Sequence, residues 1–196
     1  MKTTLEYYNE HAEKFIQGTV DVEFHEIQDK FINYLSKDAK ILDFGCGSGR
    51  DTKYFLDHGF LTDAIDGSIK LCEYASAYTG IQVKNMLFEE LNENEKYDGI
   101  WACSSILHLN KFELTKVFPL MVKALKKDGI IYTSFKYGNY EGMMNGRYFT
   151  YFTEDSFNLF ISDIKGLKIK ELWISTDARP NRGDEKWVNI ILKKDV

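Results

Sequence analysis

Gly45, Gly47 and Gly49 stand at alternate positions in ILDFGCGSGRD (41–51), straight after a short apolar run that carries one acid. Each would weaken a strand or a helix interior, because glycine loses the most backbone freedom on folding and packs nothing. They mark a place where the backbone itself must turn tightly or come close to something. ILDF before them reads as a strand and DTKYFLDHG after them as a helix, so the first free N–H groups of that helix face the turn.

The rest of the chain continues the alternation. FLTDAID, IQVKN, YDGIWACS and GIIYTSFKYG read as strands; SIKLCEYASAYTG and KFELTKVFPLMVKALKKDG read as helices, the second expected to break in two at Pro119. Leu5, Tyr8, Ala12 and Phe15 keep helical spacing, as do Phe24, Ile27, Phe31 and Leu35, so two helices precede the first strand. Beyond the fifth strand come an expected loop from Gly138 to Tyr151, a helix opened by Thr153, and two last strands, LKIKELWIST and KWVNIILKK. Strands joined by helical crossovers give an α/β fold: a Rossmann-like, doubly wound, mostly parallel seven-stranded sheet with helices on both faces and an antiparallel pair at its C-terminal end. The 196 residues are expected to form a single domain, with 1–38 as N-terminal helices over the site and 39–196 as the core.

A net charge of −5 argues against a dedicated nucleic-acid binder, since neutralising phosphates calls for a basic face. Three cysteines, Cys46, Cys72 and Cys103, lack CxxC spacing, so neither a disulfide framework nor a metal site is expected. No apolar run approaches the roughly 18 residues of a membrane span, and the N-terminus carries acids where a signal peptide has an apolar centre; a cytoplasmic protein is expected.

Spacing narrows the ligand of the glycine turn. The dinucleotide fingerprint GxGxxG would put its third glycine at position 50, where this chain has Arg50. Asp43, two residues before the first glycine, suits a cationic ligand better than a pyrophosphate. Asp66, ending the second strand in AIDGS, stands where an acid accepts hydrogen bonds from ribose hydroxyls. A ribose, no phosphate to hold and a positive group near Asp43 together describe S-adenosyl-L-methionine.

With these residues in place the chain resembles the class I S-adenosylmethionine-dependent methyltransferases. ILDFGCGSG resembles that family's first motif, AIDGS its second, NMLFEEL its third, YDGIWACSSILHL its fourth and ALKKDGIIYTSFK the following strand. The chain is also similar to a small bacterial branch of metabolite and tellurite-resistance-like methyltransferases, because nothing is appended to the core. The resemblance implies that Gly45, Cys46 and Gly47 line the methionine part of the cofactor, that Asp43 holds the loop and approaches the ammonium, and that Asp66 binds the ribose. It implies that Gly67 and Ser68 sit beside the adenosine. The family's acid for the adenine amino group is replaced by Leu87, which leaves adenine to apolar contacts from Met86, Leu87 and Phe88. Arg50 is a candidate for the cofactor carboxylate and Cys103 a small residue of the cofactor wall, although a solvated arginine and plain core fillers are competing readings.

Substrate-side candidates follow strands four and five, where open α/β sheets place their ligands. His108 has a pKa suited to proton transfer, though a histidine that packs or caps is the competing reading. Lys136 and Tyr137 end strand five, and GRYF, with Arg147, sits in the expected loop. Tyr7, Tyr8 and His11 belong to a helix that in similar proteins closes over the cofactor. Arg179 and Arg182 stand in DARPNRGDEKW, read as a solvated hairpin loop. The expected activity is methyl transfer to a small-molecule acceptor, without nucleic acid or membrane as partner. The alternatives are an RNA methyltransferase and a non-catalytic cofactor-binding protein; a nicotinamide oxidoreductase is disfavoured by the GxGxG spacing.

Overall fold

The computed structural model describes residues 2–180 and 182–195. β1 (Lys40–Phe44) has no polar face: Ile41, Leu42, Asp43 and Phe44 are all buried, as befits a strand covered on both sides. It pairs in parallel with β2 (Leu61–Asp66) on one edge and with β4 (Tyr97–Ala102) on the other. β3 (Lys84–Asn85) extends the sheet beyond β2, and β5 (Leu125–Lys136) extends it beyond β4. β6 (Glu141–Met144) and β7 (Arg147–Thr150) form a separate hairpin. β8 (Leu167–Thr176) and β9 (Lys186–Lys194) close the main sheet antiparallel, in the order β3-β2-β1-β4-β5-β9-β8. The expected seven-stranded sheet with a C-terminal antiparallel pair is the one observed.

Alternate strand residues supply two cores. On one face Phe31 of α3 (His25–Ile32) and Phe55 of α4 (Arg50–Asp57) pack on Ile41, Trp101 and Tyr132. On the other, α6 (Lys111–Ala124) and α7 (Glu154–Ser162) bury Leu114, Phe118 and Phe157 against Ile100, Ile131 and Phe135. α5 (Ile69–Thr79) is capped by Ser68, whose hydroxyl accepts from the Leu71 N–H, and α7 by Thr153. Each large apolar side chain so buried contributes roughly 1.5–3 kcal/mol.

Several expectations are corrected. The first N-terminal helix is two, α1 (Lys2–Glu10) and α2 (Ala12–Gln17), so three helices precede β1. His11 interrupts them with φ −112° and ψ 19° while its Nδ1 lies 2.9 Å from the Tyr7 carbonyl oxygen. α6 runs through Pro119 unbroken. Val117, Phe118, Met121 and Ala124, on both sides of the proline, are buried on the sheet, and that packing offsets a cost of about 3 kcal/mol. IQVKN shrinks to the two residues of β3, because Ser76 Oγ takes the Val83 N–H that a ladder would use. β5 starts at Leu125, directly after α6, so Lys126 and Lys127 lie on a strand and not on the helix. The loop 138–151 is largely the β6–β7 hairpin, turned by Asn145 at φ 50° and Gly146 at φ 77°. Asn-Gly is the pair that a two-residue hairpin turn favours, since both residues tolerate positive φ.

Candidate active site

The strand order reverses between β1 and β4, and a doubly wound sheet leaves a crevice at the carboxyl ends of such a pair. The turn after β1 enters it with Gly45, Gly47 and Gly49 at φ +90°, +56° and +80°. The turn after β4 enters from the other side. Ser104 there holds φ 52°, a conformation costly outside glycine, with its N–H donated to Ser134 Oγ at 2.9 Å. Ser105 Oγ donates to the Phe44 carbonyl at 2.6 Å and ties the two turns together.

Two cavities open on this crevice. One is a largely apolar slot walled by Leu5, Gly67, Met86, Leu87 and Phe88, with the Asp66 carboxylate at its edge. The other is a polar chamber over the ends of β5 and β9, walled in part by Cys46, Arg50, Cys103, Lys136, Arg147 and Trp187. Tyr8, Phe15, Gly45, Gly47, Ser104 and His108 line both, so the cavities meet at the glycine turn. α1 supplies Leu5 and Tyr8 to these walls and α2 supplies Phe15.

Asp66 Oδ2 accepts the Gly47 N–H at 2.9 Å and Oδ1 the Ser68 N–H at 2.8 Å. Burial raises its pKa, and these two bonds oppose the rise. A carboxylate has about four acceptor positions, so two remain for further donors. An apolar slot with two free acceptor positions at its edge fits an adenine ring and a ribose.

Asp43 lines neither cavity. It is buried behind the turn, where it accepts from Thr52 Oγ1 at 2.5 Å, and burial followed by the nearby Asp51 raises its pKa well above the usual range. That bond ties the end of β1 to α4, and no side-chain bond from Asp43 to the glycine loop is found among the described residues. Ser68 is likewise absent from the walls: it caps α5 and donates to Asn9 Oδ1 at 2.7 Å. Arg50 lines the chamber but is committed to Asp51, through Nε at 2.8 Å and Nη2 at 3.0 Å. Lys136 is paired with Glu185 at 2.5 Å. Burial raises the pKa of Cys46 well above its usual range and that of Cys103 to about 12, which leaves both as neutral thiols of the wall. Tyr7, His11 and Tyr137 line neither cavity. Arg179 and Arg182, expected in a solvated loop, stand on the chamber wall, because residues 175–179 and 182 fold over it.

His108 is the most altered candidate. Its Nδ1 lies 2.6 Å from the Tyr148 carbonyl oxygen, which can only accept, so Nδ1 carries the proton. Nε2 then accepts from the Tyr8 hydroxyl at 2.8 Å. Burial pushes the imidazole pKa down to about 4, and the cations Arg147 and Lys136 add to the shift, so the expected near-neutral pKa is not observed. The unfolded chain takes up a proton near 6.5 and the folded one only near 4, so stability falls as pH drops through that window, by about 1.4 kcal/mol per unit. Urea unfolding at pH 7 and pH 4.5 is expected to show the parent losing about 2 kcal/mol more than His108→Gln. Equal losses would mean that His108 is not held neutral.

Three contributors went unnoticed in the sequence. Asp51, buried on the chamber wall, accepts from Gln28 Nε2 and Trp101 Nε1 as well as from Arg50. Phe15 packs its ring against Gly47, and Ser134 fixes Ser104. None carries a motif, but MMNGRYF contained the Asn-Gly turn that delivers Arg147 and Phe149.

The family model described as a methyltransferase domain matches residues 41–129, from β1 into β5. A comparison with curated proteins finds no match. Among solved structures, 1,6-didemethyltoxoflavin-N1-methyltransferase from Burkholderia thailandensis, with 1,6-didemethyltoxoflavin and S-adenosylhomocysteine bound, is 17% identical, with a TM-score of 0.80 over 100% of this chain and 88% of that one. The cyclase SpnF is 13% identical, with a TM-score of 0.75 over 97% of this chain and 94% of its own. Magnesium protoporphyrin IX methyltransferase from Synechocystis PCC 6803, with S-adenosylhomocysteine bound, is 16% identical, with a TM-score of 0.74 over 99% of each chain. At such identities the likeness is one of fold. Among the described residues no helix is long and apolar enough to cross a membrane.

Proposed function

We propose that this chain is an S-adenosyl-L-methionine-dependent methyltransferase, a reading supported by the methyltransferase-domain match over residues 41–129, and that it transfers the methyl group to a small molecule held in the polar chamber. The observation that carries the reading is the shared wall: an apolar slot and a polar chamber meet at the glycine turn, so that donor and acceptor would lie on either side of it. Similar structures support the acceptor class, since 1,6-didemethyltoxoflavin is bound in one of them.

When bound, S-adenosyl-L-methionine supplies an electrophilic methyl on a sulfonium that departs as a neutral thioether. The chain's own residues have three tasks. Asp66 would accept from the ribose hydroxyls while its bond to Gly47 keeps the turn in place. Met86, Leu87 and Phe88 would enclose the adenine, and α1 and α2 exclude water from the meeting point. Tyr8 spends its proton on His108 Nε2, which leaves the phenol oxygen facing the junction as an acceptor for the nucleophile's N–H or O–H. With a pKa near 4, His108 is a weak base; it orients Tyr8 and so aligns the acceptor.

Labelled S-adenosyl-L-methionine incubated with fractionated cell extract tests the reading: label in small metabolites supports it, and label only in RNA overturns it. Binding of S-adenosylhomocysteine without any transfer would favour a non-methylating role, a reading kept open by the similar fold of a cyclase. Asp66→Ala is expected to weaken S-adenosylhomocysteine binding at least about tenfold by calorimetry, because a charged hydrogen bond contributes about 1.5–3 kcal/mol. Parental affinity would reduce Asp66 to a turn residue.

A further inference from the structure

Five cations line the chamber, Arg50, Lys136, Arg147, Arg179 and Arg182, against two acids, Asp51 and Asp177, in a chain whose net charge is −5. Four of the five are answered within the protein: Arg50 by Asp51, Arg179 by Asp177 at 2.5 Å, and Lys136 and Arg182 by Glu185 at 2.5 and 3.5 Å. Arg147 is the exception. It has no carboxylate within ion-pair distance among the described residues; Nη1 makes a long bond of 3.4 Å to Tyr8 Oη, and Nε is buried without a partner. An unmet buried donor of this kind costs free energy that a ligand can recover. The guanidinium is held for one, its carbon lying 4.6 Å from the Tyr7 ring centroid and 5.1 Å from that of Phe149. Stacked in this way it keeps its planar fork aimed rather than mobile, and that fork matches a carboxylate with two parallel bonds.

We propose that the acceptor is a carboxylic acid with an aromatic-sized apolar body, its carboxylate on the free Nε edge of Arg147 and its body against Phe149 and Trp187. The inference rests on the proposed function and names the substrate class of the same chamber. A carboxylate seated beside Tyr8 also puts the rest of the molecule next to the junction of the two cavities. The cofactor carries a carboxylate of its own, so the test must tell the two apart.

Calorimetry on the complex with S-adenosylhomocysteine would use benzoate, phenylacetate and indole-3-acetate, each beside its carboxamide. At least one acid is expected to bind tenfold or more tightly than its amide. Arg147→Met should abolish that preference, and Arg147→Lys, which keeps charge without the fork, should retain part of it. Equal binding of acid and amide, or no binding by any acid, would overturn the inference. S-adenosylhomocysteine and 5′-methylthioadenosine, which lacks the amino-acid carboxylate, are measured on both variants. If Arg147→Met weakens only the former tenfold or more, Arg147 reads the cofactor and the inference fails. If the parent binds neither nucleoside, it is the proposed function that fails.

Discussion

Replacing Gly47 with valine is expected to abolish measurable binding of S-adenosylhomocysteine, a loss of at least about a hundredfold, with a cooperative unfolding transition retained. Gly47 sits at φ +56°, a conformation that costs a side-chain-bearing residue about 1–2 kcal/mol and a β-branched one more. Its Cβ would lie 3.0 Å from Phe15 Cε1, so α2 would have to withdraw from the junction it covers. The same residue's N–H fixes Asp66 Oδ2, so a displaced turn also releases the proposed ribose acceptor. These losses fall together on one ligand, whereas the fold loses only local strain, since the main cores lie elsewhere. The shift in unfolding midpoint produced by saturating ligand should vanish in the variant. Binding within tenfold of the parent would show that no ligand approaches this turn.

The turn was legible because glycine needs are local: a positive φ is written in one residue, and the flanking strand and helix in their periodicity. Asp66 was legible for the same reason, as the acid at the end of a strand next to the turn. Partnership was not. Arg50, Lys136 and Arg147 look alike in the sequence, yet the next residue, Asp51, answers the first, Glu185 the second and no carboxylate among the described residues the third, and the last two differences depend on segments that meet only in the fold. His108 shows the same limit from the other side. Its residue type suggests proton transfer near neutrality, while the depth that pushes its pKa to about 4 comes from α1 and β7 closing over it. Asp43 and Ser68 were misplaced because a motif fixes a residue's position along the backbone and not the direction of its side chain; Thr52 and the start of α5 claim them. Pro119 was misread because its penalty is local and the packing that offsets it is not.

Asp51→Ala is expected to lower the unfolding free energy by about 3–5 kcal/mol. Asp51 gathers the N–H of Trp101 at 2.8 Å, the amide of Gln28 at 2.7 Å and the Arg50 guanidinium at 2.8 and 3.0 Å. Trp101 is fully buried and Gln28 nearly so, and water does not readily replace a partner there. Alanine would strand an indole donor, an amide donor and a charge at once, and each unmet buried group costs about 1–3 kcal/mol. Against a total stability of about 5–15 kcal/mol for a domain, the loss is a large share. Asp51→Asn keeps an oxygen that can still accept from the indole, so it should lose clearly less, and the difference between the two variants isolates the stranded donors from the stranded charge. Urea unfolding of both at pH 7 measures this. If alanine costs under about 1 kcal/mol, Trp101 and Arg50 find other partners, and Asp51 is an ordinary helix-start acid rather than the post to which α3, α4 and β4 are tied.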